Sequence, residues 1–406
     1  MMTLLSIFLQ LILWVSLVLL GYSYVVFPRL IKWLSKKAKG EREAFERGED
    51  LPGVSILMSL YNEEKVILEK LKTLAAQQFP TQKLDVYIGS DCSSDRTNAI
   101  VSQFIATNEL AHFHFFPFEE RQGKPGVINQ LVERAIERKG RGQQHVLIIT
   151  DASVLLEPNT VFQLVRHFKR PEIGLVDANM QHVGLQKAGI SKSEDAYISG
   201  EVSIKYWESQ LNGKMMGPFG GCYAIRSDLF IPVPSNYLVD DFYLAMNVLD
   251  QGKDAINDLN AICLESVSHE IKEEYRRKRR ISAGNFQNLS TYRHLLYPSK
   301  GPIAFNFWSH KVLRWLGPFF ILLSLISNIL LSLLGIPFYT YLLLAQLALI
   351  FGLPLLDILF QSLQIHIAPL RSIRYFFLMN LALLEGYIKY RKGVKTNIWQ
   401  PTKRAV

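Results

Sequence analysis

The first apolar stretch of the chain, residues 4–27, contains no charged residue and is long enough to cross a bilayer as a helix. Basic residues follow it closely, at Arg29, Lys32, Lys36, Lys37 and Lys39. A cleaved signal peptide would instead carry its basic residues before a shorter apolar run. We therefore expect residues 1–35 to form a retained transmembrane anchor whose basic flank faces the cytoplasm.

Short apolar runs alternate with amphipathic stretches between residues 52 and 300, which is the pattern of an α/β domain. It predicts strands at residues 54–60, 84–89, 112–116 and 146–149, and helices at residues 63–78, 94–107 and 127–139. Strands that alternate with helices imply right-handed crossovers and a mainly parallel sheet. The alternation loosens after residue 151, so we expect the second half to build a binding pocket around the sheet edge.

The chain becomes apolar again after residue 300. Residues 302–315 mix aromatic and aliphatic side chains with His310, Lys311 and Arg314, which suits a helix in the membrane interface. Residues 316–334 and 338–356 carry no charge and predict two spanning helices joined by a turn at 335–337. A shorter run at 375–388 contains Glu385 and spans, re-enters or lies in the interface. We expect residues 301–406 to hold an interfacial helix and two or three membrane helices.

The charge balance agrees with a membrane protein. The chain has 45 Lys and Arg against 36 Asp and Glu, a formal charge of +9. Many of the basic residues flank apolar spans, which is the positive-inside pattern, so the expected partner is membrane lipid and not nucleic acid. The cysteines Cys92, Cys222 and Cys263 lack metal-ligand spacing, so neither a disulfide framework nor a zinc site is indicated.

The apolar strand at residues 146–149 is followed by Asp151. In open α/β sheets, ligands bind outside the carboxyl ends of the strands. Asp151 is therefore placed to hold a ligand, or a metal ion that in turn holds a phosphate. Asp is also a favoured residue at the start of helices, and this stretch alone does not separate the two roles.

Three further polar motifs adjoin predicted strands or helices. Asn62 and Glu63 follow the first strand and can accept hydrogen bonds from a ribose or base, or cap a helix. Asp91 follows the second strand and can accept the imide proton of a pyrimidine. Lys124 lies in the loop Gly123-Lys-Pro-Gly, which lacks the P-loop pattern but offers a cation for phosphate.

In this order and together with Asp151, the motifs resemble glycosyltransferase family 2, whose nucleotide-sugar-binding domain has the GT-A fold. The resemblance continues through Gly217-Pro-Phe-Gly-Gly-Cys-Tyr-Ala-Ile-Arg226, Val239-Asp-Asp-Phe242 and Arg277-Lys-Arg-Arg-Ile281. It covers residues 52–300. It implies a cytoplasmic α/β GT-A domain, Rossmann-like with a mainly parallel sheet, and α-helical transmembrane segments at both ends of the chain.

The resemblance also implies roles for individual residues. The nucleoside would be held by Tyr61, Glu63 and Asp91. Lys124 would touch the base or a phosphate. Asp151 stands in an Asp-x-Asp motif that would hold the nucleotide sugar and a divalent metal ion, Mg²⁺ or Mn²⁺. Ser153 replaces the second carboxylate of that motif and is a much poorer metal ligand.

Catalysis would fall to Asp241, which matches the Asp of the family's Thr-Glu-Asp motif. A carboxylate beside a second one, here Asp240, has a raised pKa, which suits a general base. Two acids at the start of a helix are also ordinary structure. Arg280 keeps the Arg of the Gln-x-x-Arg-Trp motif and would stabilise a departing diphosphate. Ile281 replaces the Trp that offers a platform to an acceptor sugar, which argues against processive polymerisation.

Three other features carry less weight, and two of them receive structural interpretations. His112 and His114 fit a strand surface better than a metal site. The glycines before Cys222 would let the backbone approach a sugar or acceptor closely, and no partner for a reactive Cys222 thiolate is apparent. Trp399-Gln-Pro-Thr slightly resembles a terminal motif of polysaccharide synthases.

The sequence thus predicts an inverting glycosyltransferase, a multi-pass protein of the bacterial inner membrane. It would move a sugar from a nucleotide diphosphate donor, UDP-linked, to a lipid or a growing glycan. One alternative is a processive polysaccharide synthase that also exports its product. A non-enzymatic alternative is a nucleotide-sensing component of a membrane export or scaffold assembly.

Overall fold

The structure, a computed structural model, describes residues 2–38, 43–183, 191–266 and 271–397, with residues 2–3 and 191–197 described by their backbone only. The strands are β1 Gly53–Leu60, β2 Leu84–Asp91, β3 Phe113–Phe118, β4 His145–Thr150, β5 Val154–Leu156, β6 Ile173–Val183, β7 Cys222–Arg226 and β8 Asp254–Ser266. The α-helices are α1 Met2–Gly21, α2 Phe27–Ser35, α3 Ile67–Ala75, α4 Thr97–Thr107, α5 Gly123–Lys139, α6 Thr160–Val165, α7 Ser191–Asn212, α8 Asp240–Asp250, α9 Ile271–Thr291, α10 Pro302–Asn306, α11 Leu313–Trp315, α12 Gly317–Leu333, α13 Pro337–Leu347, α14 Leu353–Ser362 and α15 Ala368–Arg391. Short π-helical segments, Tyr22–Val26, Phe307–Val312 and Ala348–Gly352, join α1 to α2, α10 to α11 and α13 to α14.

These strands form one sheet in the order β3-β2-β1-β4-β7-β6-β8-β5. The first four strands of the chain pair in parallel. Alternate residues of β1 enter two different cores, Ile56 and Met58 on one face of the sheet and Leu57 on the other. Both faces are covered, which explains why these strands read as nearly unbroken apolar runs in the sequence.

The predicted alternation of strands and helices is confirmed as far as β4, but all three helices start at other residues than predicted, with α4 beginning at Thr97 instead of residue 94. Residues 63–66 form a turn, so α3 begins at Ile67. Helix α5 begins at Gly123, so the predicted Gly-Lys-Pro-Gly loop is the first turn of a helix. Pro125 is tolerated there because the N–H groups of a first turn have no intrahelical partner.

The second half of the domain lines the cavity, as expected, and it also adds strands to the same sheet, which the sequence did not predict. Strand β7 is antiparallel to β4 and β6, whereas β6 and β8 are parallel. Buried polar residues, Asp177 in β6 and Asn257 in β8, interrupt the apolar pattern of these strands. Because of these polar residues, the pattern of apolar positions in the sequence did not predict β6 and β8.

Two helices of the described residues, Leu4–Ser35 and Pro337–Ser362, are long and apolar enough to cross a membrane. A third crossing would exist if Pro302–Trp315 and Gly317–Leu333, which meet at 59°, formed one broken span. Helix α1 packs against α12. The predicted turn at residues 335–337 is present, and Gly335 has a φ of 76° there.

The segment expected to lie in the interface is helical from Pro302 to Trp315, but much of it is buried in the protein. Phe307 and His310 are fully buried, whereas the side chains of Phe305 and Trp308 are exposed. Packing against the domain therefore takes up one face of this segment.

Helix α15, which contains the apolar run at residues 375–388, lies along α9 of the α/β domain. Ser282 Oγ donates a hydrogen bond to the carbonyl oxygen of Leu383 at 2.7 Å. A Cβ at Gly386 would overlap Ser282, so the two backbones approach closely. The rings of Phe286 and Tyr387 extend the contact, with centroids 4.9 Å apart.

Candidate active site

A cavity of about 630 Å³ opens at the carboxyl end of β4 and reaches α8, α9 and α15. Four residues that the sequence assigned to chemistry line it: Lys124, Asp151, Asp241 and Arg280. They come from the start of α5, the residue after β4, the start of α8 and the middle of α9. The fold thus brings together four functional candidates that lie far apart in the sequence.

Lys124 connects two carboxylates of the cavity. Its Nζ lies 2.8 Å from Oδ1 of Asp151 and 3.6 Å from Oδ2 of Asp240. Burial lowers the pKa of Lys124, but the two carboxylates raise it more, so the pKa lies above its usual value. The ammonium is therefore charged at neutral pH and offers a fixed positive charge to phosphate oxygens.

Asp241 is the second residue of α8 and faces the same cavity. Burial, and after it the neighbouring Asp240 carboxylate, raises the pKa of Asp241 to about 7 against the opposing charge of Lys124. Asp241 can therefore gain and lose a proton near neutral pH, as a general base must.

The glycines before Cys222 make room for side chains of α8. Gly220 has a φ of 90°, and a Cβ there would overlap the Asp241 carboxylate. Gly217 has a φ of 78°, and a Cβ there would overlap the ring of Phe242. The side of these glycines on which a Cβ would lie is filled by the protein itself. Their backbone also lines the cavity, so close approach of a sugar or acceptor to it stays a prediction.

Arg280 enters the cavity from α9. Its Nη1 donates a hydrogen bond to the carbonyl oxygen of Leu238 at 3.0 Å, which ties α9 to the segment before α8. Burial lowers the pKa of Arg280, and the Asp240 carboxylate opposes this. A guanidinium remains charged in proteins at any ordinary pH, so Arg280 adds a second cation to the cavity. Ile281 also lines it.

Asp91 ends β2 and is buried. Its carboxylate accepts hydrogen bonds from Nε of Arg121 at 3.0 Å and from the backbone N–H groups of Gln122 at 2.6 Å and Gly123 at 3.0 Å. Asp91 therefore positions the start of the helix that carries Lys124. Its contact with a nucleoside stays a prediction.

Arg121 also contacts Tyr61, and the sequence had not singled it out. Its guanidinium carbon lies 3.3 Å from the centroid of the Tyr61 ring. The only sequence signal was its place between a predicted strand and the Gly-Lys motif. Tyr61 and Asp91 thus share one cationic neighbour, which places them at one site beside the start of α5.

The loops after β1 and β2 are bonded to each other. Asn62 has a φ of 53°, and its Oδ1 accepts a hydrogen bond from the backbone N–H of Ser94 at 2.9 Å. The backbone N–H of Glu63 donates to Thr97 Oγ1 at 2.8 Å. These bonds fix the loop that holds Tyr61 and Glu63, whose nucleoside roles also stay predictions.

Asp151 is the single carboxylate of the predicted metal motif, and its side chain is 37% exposed. No group of three His, Cys, Asp or Glu side chains among the described residues is arranged to hold a metal ion. Mg²⁺ commonly binds through one or two carboxylates together with waters and substrate phosphates. Asp151 fits such a shared site and does not fit a metal cage built by protein alone.

A lysine that the sequence analysis did not single out lies beneath the turn that carries Asp151. Lys70 is fully buried, and its Nζ donates to Thr150 Oγ1 at 2.7 Å and to the Val154 carbonyl oxygen at 2.6 Å. Burial lowers the pKa of Lys70 to about 8. The sequence signal was its position on the buried, otherwise apolar stripe of α3.

Three residues that received structural interpretations, His112, His114 and Cys222, lie in the described part of the chain. His114 Nε2 lies 3.1 Å from Asp85 Oδ1, so it belongs to a bonded strand surface. Cys222 is buried. Lys39 and the Trp399 motif lie outside the described residues.

Two family models match the chain. The model of Glycosyl transferase family 2 matches residues 55–231, and that of Glycosyl transferase family group 2 matches residues 145–360, more than half of the chain. The first match includes Tyr61, Glu63, Asp91, Lys124 and Asp151. The second includes Asp151, Asp241 and Arg280. The matched regions therefore contain every residue assigned to chemistry.

Similar curated proteins are named as synthases. Beta-monoglucosyldiacylglycerol synthase of Trichormus variabilis is 24% identical over 208 residues, which are 50% of this chain and 41% of that protein. Poly-beta-1,6-N-acetyl-D-glucosamine synthase of Staphylococcus aureus is 26% identical over 163 residues, which are 40% of this chain and 35% of that protein. The chain thus spans less than half the length of these relatives.

Among solved structures, a mannosyltransferase from Pyrobaculum calidifontis in complex with GDP-Man and Mn²⁺ is similar to this chain. The TM-score is 0.69 at 20% identity, covering 94% of this chain and 99% of that one. At this identity the likeness shows the fold alone, and it confirms the predicted GT-A arrangement of the domain.

Proposed function

Because the chain belongs to the family 2 glycosyltransferases, we propose that it is a membrane-bound, inverting glycosyltransferase. Its donor is a nucleotide diphosphate sugar, UDP-linked, and its acceptor is a lipid or a growing glycan. The observation that supports this most is Asp241, a carboxyl with a pKa of about 7 in a cavity that also holds Lys124, Asp151 and Arg280. That set combines a base with two cations.

In this mechanism Asp241 takes the proton of an acceptor hydroxyl while the hydroxyl oxygen attacks the anomeric carbon of the donor. The bond from that carbon to the diphosphate oxygen breaks in the same displacement, so the configuration at the carbon inverts. The electron pair of the broken bond leaves with the nucleoside diphosphate. Lys124 and Arg280 offset the negative charge that develops on it.

A divalent metal ion, Mg²⁺ or Mn²⁺, when bound would supply a Lewis acid for the departing diphosphate. Asp151 is the residue of this chain that would hold it, shared with phosphate oxygens. Tyr61, Glu63 and Asp91 would hold the nucleoside, next to the first turn of α5. The hydrogen bonds from Lys70 keep the turn around Asp151 in place.

The proposed organisation has an anchor at residues 1–35, a cytoplasmic GT-A domain at residues 52–300 and a second membrane-attached part at residues 301–406. The protein would be a multi-pass protein of the bacterial inner membrane that contacts membrane lipids. Two helices apolar enough to cross a membrane support the attachment to a membrane. The basic residues that follow the first of them, among them Arg29 and Lys32, support the cytoplasmic side.

A processive polysaccharide synthase that exports its product is the second candidate. One similar protein is named as a poly-N-acetylglucosamine synthase, which favours it. Ile281 lines the cavity where the processive members' motif has Trp, which favours the lipid acceptor. A similar protein named as a glucosyldiacylglycerol synthase supports the lipid as well.

The proposal is tested with the full-length protein in lipid vesicles and a panel of UDP- and GDP-linked sugars. Nucleotide release and transfer of label into a product are both measured. Asp241→Asn should lower transfer by about 10²–10⁴-fold, because it removes the base. Asp250→Asn is the matched control, since Asp250 ends the same helix and bonds to His294 at 2.8 Å, away from the cavity.

If Asp241→Asn transferred sugar as fast as the parent, the assignment of the base would be wrong. If the parent released no nucleotide from any donor, the proposal of a glycosyltransferase would fail and a sensing role would replace it. Partition of the labelled product between organic solvent and water separates the lipid from the glycan acceptor.

A further inference from the structure

The cavity that holds Asp241 reaches Tyr24 of the N-terminal helix, which is apolar enough to cross a membrane. Part of its lining, here called the apolar arm, is formed by Tyr24, Trp315, Phe376, Met379 and Leu383. Tyr24 belongs to the N-terminal helical span, and the last three belong to α15. One cavity thus carries the polar groups of the chemistry together with apolar side chains from the N-terminal span and α15.

The lining from α15 is one face of that helix. Phe376, Met379 and Leu383 follow one another at spacings of three and four residues, which places their side chains on the same side. Tyr24 stands opposite this face, and its ring meets that of Phe376 edge-on, with centroids 5.2 Å apart. The arm is therefore enclosed by the N-terminal span and α15 together.

The N-terminal span is held in this wall by Arg314. Residues Tyr22–Val26 are π-helical, and the carbonyl oxygen of Ser23 within that segment accepts hydrogen bonds from Nε and Nη2 of Arg314, both at 3.2 Å. The guanidinium of Arg314 also lies 5.2 Å from the centroid of the Tyr24 ring. Tyr22 Oη and Ser309 Oγ, 3.0 Å apart, add a second bond between the two segments. π-Helical segments are rare, and they are frequently found at functional sites.

The charged residues beside the arm are balanced against each other. Glu201 forms ion pairs with His310, Lys311 and Arg314, and the second imidazole nitrogen of His310 lies 2.9 Å from Glu208. Burial raises the pKa of Glu201, but Lys311, His310 and Arg314 beside it hold the pKa well below its usual value. Two carboxylates thus face two permanent cations and an imidazole, so this part of the cavity suits an uncharged group better than an anion.

The presence of a general base also selects the kind of acceptor. A lipid phosphate is already ionised at neutral pH, because its second pKa is about 6, and it needs no base to attack. A hydroxyl resembles water, whose pKa is about 15.7, and it gains from a base. Asp241 in this cavity therefore fits a hydroxyl acceptor.

We propose that the acceptor is an uncharged lipid that presents a hydroxyl to Asp241 and lays its hydrocarbon chain against the apolar arm, whose wall Tyr24 and α15 form together. The N-terminal span is then part of the acceptor site as well as an anchor, and Arg314 is the residue that positions it. This inference rests on the proposed function, since it assigns an acceptor to that reaction.

The test uses the full-length protein in vesicles with a UDP-sugar donor and three acceptors: a long-chain diacylglycerol, a short-chain diacylglycerol and glycerol. Tyr24→Ala and Phe376→Ala should raise the KM for the long-chain acceptor about tenfold or more, the usual effect of removing apolar contacts from a pocket. Their effect on the KM should be smaller for the short-chain acceptor and smallest for glycerol, which has no hydrocarbon chain to contact the arm. Tyr341→Ala is the matched control, because Tyr341 is 73% exposed on α13 and does not line the cavity.

Tyr24→Leu is a milder variant in case Tyr24→Ala does not fold. Its KM for the long-chain acceptor should lie between that of the parent and that of Tyr24→Ala. An unchanged KM for the long-chain acceptor in both folded variants would overturn the inference. So would a parent enzyme that prefers a lipid phosphate or a water-soluble oligosaccharide. A parent that releases no nucleotide from any donor would instead overturn the proposed function, so the two failures are distinguishable.

Discussion

Replacing Asp240 by Asn should move the pH at which the enzyme gains activity. Asp241 acts as a base only when it is ionised, so transfer should rise with pH through the pKa of Asp241, about 7. Asp240 is the second largest cause of that raised value, after burial. Its Oδ2 also lies 3.6 Å from Lys124 Nζ, so it competes with Asp241 for the same cation. Asp240→Asn removes both effects, and both changes lower the pKa of Asp241.

The magnitude follows from the size of the shift. The pKa of Asp241 rises from 3.8 to about 7, and a unit of pKa is worth about 1.4 kcal/mol, so the whole shift corresponds to roughly 4 kcal/mol. Burial supplies the largest part. Two unit charges roughly 6 Å apart at an effective dielectric constant of about 40 repel each other by about 1.4 kcal/mol. Asp240→Asn should therefore lower the pKa by about one unit.

The assay is the pH dependence of kcat/KM for the donor in lipid vesicles at saturating acceptor. On the acid side of this profile, here called the acid limb, kcat/KM should reach half its maximum near pH 7 for the parent and about one pH unit lower for Asp240→Asn. Lys124→Met should move it in the opposite direction, because Lys124 lowers the pKa of Asp241. Asp250→Asn should leave it in place. A parent limb near pH 4, or a limb that moves upward in Asp240→Asn, would refute the reasoning.

Three further variants and one treatment test other parts of the account. The pKa of Asp241 is raised in the folded protein, so the folded state loses stability relative to the unfolded state as pH rises from about 4 to about 7. Asp241→Asn removes this loss. It should increase the free energy of unfolding at pH 8 by up to about 4 kcal/mol and change it little at pH 4. Chemical unfolding in detergent measures this. Lys70→Met removes both bonds to the turn around Asp151 and should raise the donor KM about tenfold, whereas Lys72→Met, 55% exposed on the same helix, should not. Gly220→Ala should displace Asp241 and reduce kcat, while Gly142→Ala, which meets no atom within 4 Å, should have no effect on kcat. Chelation of divalent metal should lower the rate of transfer, and Mn²⁺ or Mg²⁺ should restore it.

Much of the first half of the domain could be predicted from the sequence. The strand before Asp151 is a run of consecutive apolar residues because both faces of the sheet are covered, and a buried strand leaves that signal. The positions of Asp151, Lys124 and Asp241 around one cavity follow from strand ends and helix starts that meet at one edge of a parallel sheet. The family resemblance added which of them would act as the base.

Contacts made by buried polar groups could not be predicted. Lys70 occupies a buried position that its charge argues against, and only the three-dimensional arrangement shows the carbonyl and hydroxyl oxygens that accept its hydrogen bonds. The same is true of Asp177, which is fully buried and paired with Lys205 at 2.6 Å. A glycine in the sequence indicates a close approach but not its partner, so the contact of Gly220 with the Asp241 carboxylate could not be predicted.

The last apolar run of the chain shows a second limit of prediction from the sequence. The apolar run at residues 375–388 left spanning, re-entrant and interfacial positions open, because hydropathy does not distinguish lipid from an apolar protein surface. In the structure this run lies along α9, and Phe376 and Met379 face the cavity. Glu385, which argued against a simple span, lies 3.3 Å from Arg279 of α9.

The central claim is that Asp241 serves as the base in a single displacement at the anomeric carbon. The most direct measurement is the anomeric configuration of the product formed from an α-linked UDP-sugar, determined by NMR, for the parent and for Asp241→Asn. The account predicts a β-linked product from the parent and almost none from Asp241→Asn. An α-linked product, or a β-linked product formed equally well without the Asp241 carboxylate, would contradict it.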